Sequence, residues 1–123
     1  MEKEFIPYEQ ALALKELGFD EKCISVYLTS TKNFYPVYRP YTNNEQTDEI
    51  LRPLYQQAFT WFREKYGYDV TIKKCTPSEY KFEIEQLFAE GDNHYFIDFV
   101  FKSYKEAELK CLNKLIETVK RKK

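Results

Sequence analysis

Only three glycines and one histidine occur in 123 residues, and each scarcity removes a class of chemistry. A loop that cradles phosphate needs closely spaced glycines, because the backbone must approach the ligand with no Cβ in the way. Neither G-x-G-x-x-G nor G-x-x-x-x-G-K-[ST] is present. The three cysteines, Cys23, Cys75 and Cys111, lie far apart and are odd in number, which speaks for reduced thiols rather than a disulfide framework. Together with His94 they are the candidates for zinc, and no two fall within a C-x₂₋₄-C or H-x₃₋₅-H spacing. No metal and no cofactor is expected. Apolar runs last only a few residues, too short to span a membrane, and Met1-Glu2-Lys3-Glu4-Phe5 lacks the basic-then-apolar pattern of a signal peptide. The expectation is a cytoplasmic chain with no membrane contact.

Charge of one sign is lacking too. Nineteen basic and twenty acidic residues give a net charge of −1. The last four residues, Lys120-Arg121-Lys122-Lys123, contribute +4, so the rest of the chain is −5. A basic body wrapped around phosphates does not fit this balance. What the sequence has in abundance is rings: eleven Tyr, ten Phe and one Trp. Each buries about 150–250 Å², so rings must help to build the core.

The pattern predicts one domain over 1–123, an N-terminal helix and hairpin over 5–41 followed by an αβββα unit over 48–120. Pro7 suits a first helical turn, and Tyr8, Ala11, Leu12, Leu14 and Leu17 recur at helical spacing before Gly18. Strands are expected over 23–28 and 34–39; Pro36 places the second at an edge or a bulge. A second helix starts between Asp48 and Pro53 and ends at Gly67. Strands follow over 68–73, 80–85 and 94–101, the last with Tyr95, Ile97, Phe99 and Phe101 facing one side. Ser103 and Glu106 form an S-x-x-E capping box, ahead of a stripe of Ala107, Cys111, Leu112, Leu115, Ile116 and Val119. The order α-β-β-α-β-β-β-α is an α+β fold with three helices on a mostly antiparallel sheet.

The segments FIPYEQALALKELGFD (5–20), PLYQQAF (53–59), WFREKYG (61–67) and YKEAEL (104–109) resemble a group of small proteins of tailed phages and prophages of gut bacteria, for which no function is assigned. That resemblance carries no catalytic or binding residues. It implies a non-enzymatic accessory protein of the host cytoplasm, occupying a host protein such as a defence component. Residues 50–120 also resemble, in element order, double-stranded-RNA-binding domains. There the last helix grips phosphate with lysines; here Tyr104 and Glu108 stand where basic residues are expected, and Lys105 and Lys110 remain. The alternative this implies is a nucleic-acid or nucleotide binder.

Several clusters compete as sites. Cys75, next to Lys73-Lys74, could pair with His94 as a nucleophile, while Cys23 and Cys111 sit at core positions. Glu83 and Glu85 share a strand face, suited to a cation or simply to solvent with Lys81 beside them. Asp98 stands among apolar neighbours and needs a partner if buried. Tyr35, Tyr38, Arg39 and Tyr41, with Phe34, Pro36 and Pro40, form an aromatic–Arg segment. Such a segment packs an edge, binds a protein partner, or stacks a base. The four residues Tyr35, Tyr38, Arg39 and Tyr41 are the expected partner-binding set, and no catalytic residue is expected.

Overall fold

The computed structural model describes residues 2–41, 48–86 and 94–121, without the side chains of 2, 38–41 and 94–100. Its elements are α1 (Tyr8–Glu16), β1 (Cys23–Leu28), β2 (Phe34–Tyr41), β3 (Glu49–Leu51), α2 (Tyr55–Tyr66), β4 (Tyr68–Thr76), β5 (Glu79–Gln86), β6 (His94–Phe101) and α3 (Tyr104–Arg121). The class is α+β as expected, with one short strand, β3, added to the order. The strands form two antiparallel sheets of three, β2-β1-β3 and β4-β5-β6. The chain divides into two compact units, Met1–Ala58 and Phe59–Lys123, and the division falls inside α2. β3 and the first turn of α2 therefore go with the N-terminal hairpin.

In the N-terminal unit α1 ends as its sequence demands. Gly18 takes φ 96°, a left-handed value that a side chain resists. The Phe19 N–H donates to Leu14 O at 2.9 Å and the Gly18 N–H to Lys15 O at 3.0 Å, the double closure of a Schellman stop. Leu14 and Phe19 are both buried. Pro7 sits one residue outside the helix, as its N-cap. β3 pairs with β1 through Leu51↔Val26, Ile50↔Tyr27 and Glu49↔Leu28. Arg52 continues the line, its N–H donating to Ser25 O at 3.0 Å. Pro53 then stops the strand, and its carbonyl accepts from the Ile6 N–H at 3.0 Å. The second helix thus begins beyond Pro53, at Tyr55, because Arg52 precedes a proline and is biased to extended backbone.

In the C-terminal unit Gly67 closes α2 at φ 77° and β4 begins at once. β4 and β5 pair along nearly their full length, from Tyr68↔Gln86 to Thr76↔Glu79. β6 is less regular than its apolar alternation suggests. It pairs Glu85↔Tyr95, Ile84↔Phe96 and Phe82↔Asp98, then shifts register to Tyr80↔Phe101. A bulge therefore interrupts the single face expected for Tyr95 to Phe101. The rings of Phe82 and Phe101 still stack, 5.7 Å apart. α3 follows its sequence closely: Ser103 Oγ accepts from the Glu106 N–H at 3.1 Å, and Glu106 Oε1 accepts from the Lys102 N–H at 3.0 Å. The whole expected stripe of α3 is buried, joined by Glu108, whose carboxylate lies 3.0 Å from Lys105 Nζ.

Candidate interaction surface

β2 is an edge strand, bonded to β1 on one side only. Its register is Tyr27↔Phe34, Val26↔Tyr35 and Ser25↔Pro36, then Cys23↔Tyr41. Residues 37–40 thus stand opposite the single residue Ile24, a wide bulge in a strand that holds two prolines. Phe34 is 41 % exposed, and Tyr35 and Ile24 are each 45 % exposed. Since Tyr35 faces Val26 and Ile24 lies two residues from Val26, Ile24 and Tyr35 share one face of the sheet. Phe34 belongs to the opposite face. The aromatic segment is therefore split between two faces. Of the expected set, Tyr35 is exposed at the edge; Tyr38, Arg39 and Tyr41 lie in β2, and their side chains are outside the described residues.

The Phe34 face holds a residue that sequence reasoning passed over. Arg52 is only 4 % exposed. Its Cζ lies 3.6 Å from the Phe34 ring centroid, 4.1 Å from that of Phe5 and 5.4 Å from that of Tyr27. Nη1 donates to Ser25 Oγ at 3.3 Å, and Ser25 Oγ donates to Tyr35 O at 2.9 Å. Tyr27 is itself fixed, its Oη donating to Ile6 O at 2.7 Å. Among the described residues Nε is buried with no hydrogen-bond partner. Cation–π contacts contribute roughly 0.5–2 kcal/mol each, whereas desolvating an ion costs several kcal/mol. The rings offset part of the burial of this cation, but a ring is no N or O acceptor for the Nε–H. The only advance signal was position: an Arg between Leu51 and Pro53, next to an apolar pair.

The remaining candidates resolve simply. Cys23 and Cys111 are buried and Cys75 is exposed. Burial, with Glu21 and Asp20 nearby, pushes the Cys23 thiol up to about 12; burial, with Glu108, pushes Cys111 up as well. Glu83 lies 3.0 Å from Lys81 and 3.4 Å from Lys73, so its charge is met by lysines of β5 and β4. Glu85 is exposed opposite Asp69. The side chains of His94 and Asp98 are outside the described residues. Among the described residues no group of three or more His, Cys, Asp or Glu could hold a metal ion, and no helix is long and apolar enough to cross a membrane. Comparison with protein-family models, curated proteins and solved structures found no match.

Proposed function

We propose that this chain is a non-enzymatic accessory protein of a phage or prophage that binds a host protein through the β2 edge. One observation carries the reading: an edge strand bearing exposed Tyr35 beside exposed Ile24 on one face of the sheet. Large apolar and aromatic side chains are enriched at interface centres, and a sheet edge offers main-chain groups besides. The resemblance to small phage proteins supports the viral origin and the host cytoplasm as the place of action. A defence component is the class of host protein proposed.

The test is capture from host-cell lysate with a tagged chain. Tyr35→Ala combined with Tyr38→Ala and Arg39→Ala is expected to abolish capture of a stoichiometric partner while Tm stays within a few degrees. Capture that survives the triple substitution would overturn the assignment of the surface.

A further inference from the structure

We infer that Arg52 forms an oxyanion site in the N-terminal unit, taking a carboxylate or phosphate group on the Nε side of its guanidinium. The inference stands apart from the β2 edge reading, because it concerns the opposite face of the sheet.

Arginine stays charged, and charges taken out of water are paired or hydrogen-bonded. Arg52 is nine-tenths buried, yet no carboxylate pairs with it among the described residues. Its partners are three rings and one hydroxyl. A ring face attracts the cation but supplies no N or O acceptor, so the guanidinium N–H groups still call for acceptors. Ser25 Oγ takes one N–H of Nη1. Nε has none, and it lies on the edge that grips two oxygens side by side in a fork. An anion that offers two oxygens side by side, as a carboxylate or a phosphate does, is the ligand that matches this edge.

The site is also held in place. The Arg52 backbone is bonded to β1, Ser25 is bonded to β2, and Tyr27 is bonded to the N-terminal segment that carries Phe5. Three separate stretches of chain converge on one cation, so its position costs no further ordering when a ligand arrives. Phe34 lies over the guanidinium while 41 % exposed, so one of the rings that enclose the cation borders solvent.

The test follows the Arg52 Nε–H resonance of the ¹⁵N-labelled full chain, assigned through its own spin system. Inorganic phosphate and sodium acetate are titrated separately, each against chloride at constant ionic strength. The expected result is a saturable downfield shift of this resonance. Phosphate acting at a tenfold or more lower concentration than acetate assigns a phosphate ligand, and the reverse assigns a carboxylate. An anion-dependent rise in Tm should accompany the shift and be lost in Arg52→Lys, which keeps the charge but removes the fork. An Nε–H resonance that neither anion moves relative to chloride overturns the site and leaves Arg52 as a cation held by rings alone.

Discussion

The three thiols occupy environments different enough to be told apart by rate. Cys75 is exposed on β4, while Cys23 and Cys111 are buried and hold their protons more tightly than a free thiol. Thiolate is the reacting form, and it must be reachable. A thiol reagent should therefore modify a single cysteine in the folded chain, and Cys75→Ser should remove that reaction. Rapid modification of two thiols in the native state would contradict the burial of the others. The same burial sets an alkaline limit. Cys23 keeps its proton up to about pH 12 when folded, against an ordinary 9.0, so above pH 9 the unfolded chain releases that proton first. Stability should fall as pH rises above 9, and Cys23→Ala should make the fall in Tm shallower, with buried Cys111 keeping its own share. The burial of Cys111 was legible from its place on a helical stripe. That of Arg52 was not, because an isolated Arg reads as solvated, and the rings that enclose it come from Phe5, Tyr27 and Phe34 elsewhere in the chain.

Elements were legible in proportion to how much of their signal is local. α1 and α3 carry caps and stops within a few residues of the helix, and Gly18, Gly67 and Ser103 each do what their position announced. Gly67 offers a clean test, since a Cβ there would meet nothing within 4 Å. The cost of Gly67→Ala should be the backbone penalty alone, about 1 kcal/mol. Ser103→Ala removes a cap and should cost about 1 kcal/mol as well. Both are read from urea midpoints at unchanged slope. β3 left no comparable mark. It has three residues, too few for an alternation, and it exists because β1 offers it a free side. The shift in β6 was hidden for the opposite reason. Its apolar alternation is long and clean in sequence, and the bulge that breaks it depends on pairing with β5.

At the scale of the molecule the α+β class followed from element order, whereas the division into two sheets did not. Sheet membership is settled by non-local pairing, here of β3 with β1, and hydrophobic pattern does not record it. Charge is distributed unevenly over the two units. The N-terminal unit holds 6 basic and 9 acidic residues, the C-terminal unit 13 and 11. This separates the leading reading from its rival. A protein held at the β2 edge by rings should be captured almost equally at low and at physiological salt. A nucleic acid held by the αβββα half should be lost steeply as salt rises, with a high ratio of absorbance at 260 to 280 nm in the purified sample.

The two sheets finish on rims of unlike character. β4 places exposed Lys73 and Lys74 along its rim, and like charges discourage another copy from laying a strand alongside. β2 presents rings, but Pro36 lacks an N–H and residues 37–40 answer to one residue of β1. A straight strand cannot run its full length there, so stacking cannot propagate from copy to copy. When the chain accumulates in a crowded cell, such a rim favours one fitted guest over a growing fibre.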